Sequence, residues 1–245
     1  MKQNIYDDPT FFSGYAELRR SELGLNAALE WPAFRSLLPP LAGKRLLDLG
    51  CGFGNLCRYV RQQGAEQIAG VDISANMLAR AREDGAGITY IHRPFEDVNF
   101  DPASFDVVTS SLALHYTEDY ERVCSNVARW LIRGGTFAFS VEHPMMTSVV
   151  NCVAPGWCTG EDGGRKHWPV DNYRAEGIRR HWWFVDGVIN YHRTVETYIN
   201  RLIDSGFEIT RVLEPEPTPE AIAERLELIE QCRRPPFLLI AARKG

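Results

Sequence analysis

The sequence predicts an α/β domain whose doubly wound, mostly parallel sheet of seven strands is interrupted after the fifth strand by an aromatic-rich insertion. Three observations carry this prediction. From Lys44 onward, short β-rich apolar runs alternate with helical stretches, the pattern of a parallel sheet covered on both faces. A strand, a glycine turn and a helix follow one another at "LLDLGCGFGN", residues 46–55. The alternation lapses between His143 and Arg193, where four of the six tryptophans and four of the six histidines collect, and then resumes.

The elements follow in order. An N-terminal helical segment spans about residues 10–38. Strands are expected at Arg45–Leu49, Gln67–Val71, Ile88–His92, Phe105–Ser110 and Thr136–Val141. A helix from about Gly54 to Gln63 is stopped by Gly64; a second starts after Ser74 as N-cap and ends before Asp84-Gly85. A third begins near Thr117, carries Glu118 and Asp119 in its first turn, and stops at Arg133-Gly134-Gly135. In the insertion, "RRHWWFVDGVINYHR" predicts a β-hairpin turning at Asp186-Gly187. A helix over Val195–Asp204, a strand Phe207–Leu213, a helix inside Pro219–Cys232 and a strand Phe237–Ala241 complete the chain. This gives one domain, 1–245: an N-terminal lid segment (1–40), a core (41–143 and 194–245) and a substrate-side insertion (144–193).

Composition narrows the function. The 245 residues are 44% hydrophobic and 24% charged, and no apolar run approaches the length of a membrane span. The N-terminus lacks the apolar core of a secretory signal and the six cysteines form no CxxC pair, so a reducing cytoplasm is expected. A net charge of −5 disfavours nonspecific attraction to nucleic acid. The expected partner is a small molecule, with no nucleic acid, membrane or metal.

The glycine turn places backbone N–H groups and a helix N-terminus beside a ligand. The dinucleotide fingerprint is G-x-G-x-x-G, yet Gly50, Gly52 and Gly54 follow G-x-G-x-G and Asn55 stands next. Asp48, two residues before Gly50, would repel a pyrophosphate and attract an ammonium group. Asp72 follows Gly50 by 22 residues and can accept from both hydroxyls of a ribose. A nucleoside carrying an amino group fits these residues better than a nicotinamide dinucleotide.

With these residues the chain resembles the class I S-adenosylmethionine-dependent methyltransferases. "LLDLGCGFG" is similar to their first motif, "GVDIS" to the second, "RPFEDVNF" to the third, "FDVVTSSLALHY" to the fourth and "LIRGGTFAFS" to the approach to the fifth strand, with Arg133 where the family often has proline. The resemblance covers most of Lys44–Lys244. It implies a Rossmann-like sheet with an antiparallel last strand, S-adenosylmethionine as cofactor and S-adenosylhomocysteine as product. It further implies Asp48 near the methionine ammonium, Gly50 and Gly52 close to the cofactor, Asp72 on the ribose, and Ile73 and Met77 against the adenine. Phe95 would lie alongside, Glu96 or Asp97 would accept from the adenine amino group, and Ser110 and Leu112 would line the site through backbone groups. Tyr6, Tyr15 and Arg19 of the leading segment would close over the amino-acid end.

A sulfonium methyl is already activated, so the protein's task is to align an acceptor and, where needed, take its proton. Candidates near strands four and five are His115, Glu142 and His143 as bases, with Tyr116 beside them. His192 is a further candidate base. Tyr191 and Arg193 at the hairpin's end are candidate substrate contacts, the guanidinium suiting a carboxylate or phosphate. Each has a bland counterpart: His143 holding a loop, Arg193 pairing with a glutamate. Trp157, Trp168, Tyr173, Trp182 and Trp183 are candidates for a substrate-covering wall or for the insertion's own core. Arg174, Arg179 and Arg180 read as solvated. The expected activity is methyl transfer to an oxygen or nitrogen of a small organic substrate. Methylation of protein or RNA and a noncatalytic cofactor-binding module are the competing readings.

Overall fold

The computed structural model describes residues 2–149 and 156–245. Its N-terminal part is three short helices, α1 (Pro9–Ala16), α2 (Arg19–Glu22) and α3 (Trp31–Ser36), rather than one helical run, because Gly24 turns the chain at φ 71°. The core then follows as β1 (Arg45–Leu49), α4 (Asn55–Gln62), β2 (Gln67–Asp72), α5 (Ala75–Glu83), β3 (Thr89–His92), β4 (Phe105–Ser111), α6 (Tyr120–Trp130) and β5 (Leu131–Glu142). Ser74 caps α5 as expected, its hydroxyl accepting the Met77 N–H at 3.0 Å. Asp119 is the cap of α6 rather than part of its first turn, accepting the Arg122 N–H at 3.0 Å. That helix ends at Trp130, short of Gly134-Gly135, and the chain passes directly into β5.

The insertion holds α7 (Pro144–Thr147), a small ladder of β6 (Cys158–Thr159) with β7 (Arg165–His167), and a hairpin of β8 (Gly177–Trp183) with β9 (Val185–His192); residues 150–155 of the expected insertion lie outside those described. The hairpin turns at Phe184 and not at Asp186-Gly187. Phe184 takes φ 60° and its ring packs 5.6 Å from Phe11, centroid to centroid, so tertiary packing overrides the local Asp-Gly preference. Gly187 instead sits in β9 at φ 75°, where the register slips by one residue. The chain closes with α8 (Val195–Asp204), β10 (Phe207–Leu213), α9 (Pro219–Glu224) continued by 3-10 turns, and β11 (Phe237–Lys244).

The sheet order is β10-β11-β5-β4-β1-β2-β3, with β11 antiparallel to both neighbours. Period-two alternation sends Leu47, Leu49, Val108, Phe137 and Phe139 to the face covered by α6 and α8, where Trp130, Tyr198 and Leu202 are buried. Leu46, Ile68, Val107 and Ala138 pack on the other face with Phe34, Val60 and Leu78. Among the described residues no helix is long and apolar enough to cross a membrane. The carboxyl ends of β1, β2, β4 and β5 open on one edge, which is where ligands settle in open α/β sheets.

Gly50 and Gly52 both have positive φ, 72° and 52°, but only at Gly50 would an added Cβ meet a neighbour, 2.3 Å from the Ala113 Cβ. Gly52→Ala should therefore cost only the left-handed backbone, about 1–2 kcal/mol. Gly50→Ala should add about 1–3 kcal/mol of overpacking. Equal denaturation midpoints for the two variants would contradict this placement of the turn.

Candidate functional site

Where β1 leaves the sheet, the N–H groups of Gly50 and Cys51 both donate to the Val71 carbonyl, at 2.8 and 3.0 Å, which ties the glycine turn to β2. The Asp72 carboxylate accepts the Gly52 N–H on Oδ2 at 2.8 Å and the Ser74 N–H on Oδ1 at 2.9 Å. Burial raises its pKa against those two bonds. Asp48, only 2% exposed, accepts the Thr109 hydroxyl on Oδ1 at 2.8 Å and the Cys57 thiol on Oδ2 at 3.7 Å. Desolvation outweighs both bonds and pushes Asp48 up to about 7.

Two connected spaces adjoin this turn. A narrow recess is lined by Asp48, Gly50, Gly52, Tyr15, Ser111 and Arg20. A larger cleft of about 980 Å³, at the upper end of small-molecule sites, continues past Gly50, Gly52, Asp72, Ile73 and Met77. Phe95, Glu96, Asp97 and Leu112 wall it on the side of β3 and β4, and Tyr15, Tyr116 and Tyr191 line it as well.

Residues 2–8 run across the cleft and are fastened on three sides. Lys2 pairs with Asp97 at 2.9 Å and Glu96 at 3.3 Å. Gln3 donates to the Gly187 carbonyl and accepts the Ile189 N–H, each at 2.8 Å. The Asp7 carboxylate accepts from the Ser74 hydroxyl and from the N–H groups of Asn76 (3.1 Å) and Ala75 (3.2 Å), capping α5 from outside. Burial opposes these bonds, but together they hold the Asp7 pKa below its usual range. Tyr6 and Tyr116 meet hydroxyl to hydroxyl at 3.3 Å beneath this strap.

Several expected site residues lie elsewhere. Arg19 is exposed and reaches Glu224 at 3.9 Å; its neighbour Arg20 faces the recess, held by Glu30 at 3.2 Å. Ser110 is fully buried, its hydroxyl donating to the Leu49 carbonyl at 2.8 Å, and Ser111 takes the lining position. His143 has both ring nitrogens occupied: Nδ1 accepts the Met145 N–H at 3.1 Å, capping α7, and Nε2 donates to Glu214 at 2.8 Å. His192 is likewise saturated, Nδ1 accepting from Thr147 at 2.7 Å and Nε2 donating to the Tyr173 carbonyl at 2.8 Å. A ring with no free nitrogen in this fold is a fastener rather than a base.

Arg193 turns inward, donating to the carbonyls of Thr117 and Glu118 and lying 5.5 Å over the Tyr120 ring. Trp182 is 53% exposed because β8 alternates, and Trp183 points in, 5.1 Å from Phe11 and 6.0 Å from Tyr15. Trp157 and Trp168 pack on each other and on Arg233 and Arg234, and Tyr173 binds the Val195 N–H. Arg179 is buried rather than solvated, donating to the carbonyls of Thr147, Ser148 and Ala175.

On the acceptor side His115 and Glu142 remain together. The His115 Nδ1 accepts the Glu142 backbone N–H at 3.4 Å, and burial, then the charges of His181, Arg193 and Arg20, push the imidazole down to about 3, so it stays neutral. The Glu142 carboxyl is raised by burial, partly offset by a 2.7 Å bond from the Asn190 amide. Arg20 and Asn190 escape a reading of the sequence: one is a choice between adjacent arginines, the other a polar residue within an apolar strand.

This sheet order, with a glycine turn after β1 and a carboxylate ending β2, defines an α/β protein with a nucleoside-binding site. Residues 47–139 match the methyltransferase domain family. The chain belongs to the class I S-adenosylmethionine-dependent methyltransferases. It is 46% identical to a solved S-adenosylmethionine-dependent methyltransferase from Mesorhizobium loti, covering 90% of this chain and 100% of that one at TM-score 0.84. It is 37% identical to an uncharacterized protein of Haemophilus influenzae over 99% of this chain and 98% of that one. A malonyl-[acyl-carrier protein] O-methyltransferase of Enterobacter lignolyticus is 36% identical over 44% of this chain and 43% of its own length.

Asp48 gives the unliganded protein a pH signature. A carboxyl near 7 when folded and 3.8 when unfolded binds more proton in the folded state between those values. The Asp48 contribution to stability should thus fall as pH rises from about 4 to 7, by at most about 4 kcal/mol, and Asp48→Asn should remove that share of the slope. Denaturation midpoints over this range check it; an unchanged slope in the variant would refute the assignment.

Proposed function

We propose that the chain transfers the methyl group of S-adenosylmethionine to an oxygen or nitrogen of a small organic acceptor enclosed beneath residues 2–8 and the β8–β9 hairpin. The observation that carries the reading is that Asp48 and Arg20 both line one narrow recess next to the glycine turn. One carboxylate and one guanidinium match the ammonium and carboxylate of an α-amino acid, the end of the cofactor that a plain nucleoside lacks.

The remaining cofactor contacts follow from what each group still has to offer. The two oxygens of Asp72 keep lone pairs beyond those used by Gly52 and Ser74, and suit the ribose hydroxyls. Met77 and Phe95 provide apolar surface for the adenine, with Glu96 or Asp97 as acceptor for its amino group. When bound, the cofactor supplies a sulfonium methyl, so no protein nucleophile is required. The chain aligns the acceptor, excludes water with Tyr6, Tyr15 and Tyr116, and offers Glu142 as a proton acceptor. The strap favours an enclosed small molecule over a polymer. The malonyl-[acyl-carrier protein] O-methyltransferase relative is compatible with this reading.

Calorimetry should show S-adenosylhomocysteine binding and no NADH binding. Asp72→Ala and Arg20→Met should each weaken S-adenosylhomocysteine by about 1–3 kcal/mol, the cost of a charged hydrogen bond, whereas Arg19→Met should leave it unchanged. Tight NADH binding, or equal losses at Arg19 and Arg20, would overturn the assignment.

A further inference from the structure

The strap delivers a lysine to the wall of the cleft. Gln3 pairs its side-chain amide with the β9 backbone as a neighbouring strand would, donating to the Gly187 carbonyl and accepting the Ile189 N–H, each at 2.8 Å. Asn4 donates its amide to the Ile73 carbonyl at 3.2 Å and to Asp7 at 2.7 Å, and Asp7 is itself tied to the start of α5. With residues 3, 4 and 7 fastened, the Lys2 side chain reaches the Phe95–Asp97 turn, which lines the same cleft. Its ammonium lies 2.9 Å from Asp97 Oδ2 and 3.3 Å from Glu96 Oε2.

An exposed lysine–carboxylate pair stabilises a fold little, because solvent screens it and two long side chains lose freedom. The two carboxylates here differ. Asp97 is half exposed, and the Lys2 hydrogen bond holds its pKa below the usual range. Glu96 is set into the wall, its side chain only 11% accessible, and it spends Oε2 alone on Lys2. Oε1 has no hydrogen-bond partner among the described residues, yet it keeps accessible surface on a side chain that lines the cleft. An ammonium carries three N–H donors, and two are used here, so one remains. A free acceptor and a free donor thus stand side by side at the cleft wall. With a ribose at Asp72 and a purine against Met77 and Phe95, this pair meets the edge that the base turns away from its sugar. On adenine that edge is the exact complement: the 6-amino group donates, and N1 beside it accepts.

We propose that Lys2 is a specificity-determining residue of the cofactor site, donating to N1 of the adenine while Glu96 Oε1 accepts from its 6-amino group. This rests on the cofactor contacts assigned above and adds to them a base contact supplied by the strap. A purine that carries a hydrogen on N1 sets donor against donor at Lys2 and is rejected, because a site built to hydrogen-bond one edge leaves its polar groups unpaired on another. The contact also joins strap closure to base binding. The ammonium that meets N1 is the one that bridges Glu96 and Asp97, so a bound adenine adds a third fastening to the strap's first residues.

The test titrates S-adenosylhomocysteine and its 1-deaza and 7-deaza analogues calorimetrically into the full-length protein and into Lys2→Met. Failure of S-adenosylhomocysteine to bind the unaltered protein would overturn the cofactor reading itself and is scored separately. The 7-deaza analogue keeps both N1 and the amino group and should bind the unaltered protein within about twofold of the parent ligand. The 1-deaza analogue lacks the N1 acceptor and should bind at least about fivefold more weakly, the loss of one hydrogen bond to a charged donor. Lys2→Met should weaken the parent ligand by a similar factor and should then bind the 1-deaza analogue no worse than the parent, so that the two losses do not add. A lysine that only ties down the strap would instead weaken all three ligands by one common factor. That pattern, equal losses for the two analogues on the unaltered protein, or full affinity in Lys2→Met would each overturn the proposal. The comparison of analogues on the unaltered protein needs no variant, so it decides even where a substitution disturbs the strap.

Discussion

The Asp72 carboxylate is the constraint on which the site is built. One oxygen holds the Gly52 N–H and so fixes the glycine turn; the other holds the Ser74 N–H and so fixes the start of α5. Ser74 in turn caps that helix and donates its hydroxyl to Asp7 of the strap. The Asp72 carbonyl accepts the Arg93 N–H at 2.9 Å, bringing the end of β3 into the same knot. Buried charges persist where donors surround them, and here the donors belong to every segment that must be positioned around a nucleoside. A disturbance at the strap is thereby felt at the turn, through two side chains and no large movement of the core.

The second organising feature is the separation of charge along the cleft. Asp48 lies under the glycine turn with its carboxyl near 7, so its ionisation is easily tipped by a bound cation. Arg20 stands across the same recess and is anchored by Glu30. Further out, Glu96 and Asp97 are occupied by Lys2 of the strap.

The sheet was legible in the sequence because seven strands and their helices carry the period and punctuation of their structures. The first strand keeps its expected ends at Arg45 and Leu49, and β2 extends by one residue to Asp72. The site was legible only where a residue's face follows from its strand. Asp48, Gly50, Gly52, Asp72, Ile73 and Met77 reach the recess or cleft, whereas two expected positions miss by a single step. Arg20 stands for Arg19 and Ser111 for Ser110, while of the two expected tryptophans only Trp183 points inward, and one residue is enough to turn a side chain to the opposite face. His143 and His192 fail for another reason. Their positions at strand ends suggested free imidazoles, but sequence does not show that backbone groups of Met145 and Tyr173 consume ring nitrogens.

Saturation therefore separates fasteners from working groups in this fold. His143, His192, Arg179 and Arg193 spend their donors and acceptors on α7, Tyr173, the insertion backbone and the loop before α6. His143 and Arg193 pin the insertion to the core at Glu214 and at the loop before α6, whereas His192 and Arg179 tie the insertion to itself, and the hairpin then presents Trp183 and Asn190 inward. Among the groups facing the recess and cleft, Asp72 keeps lone pairs beyond those used by Gly52 and Ser74, and Asp48 keeps an ionisable carboxyl. The fold gains nothing in stability from leaving these two open. Their incompleteness makes sense as complementarity to a nucleoside that carries a cationic amino-acid end.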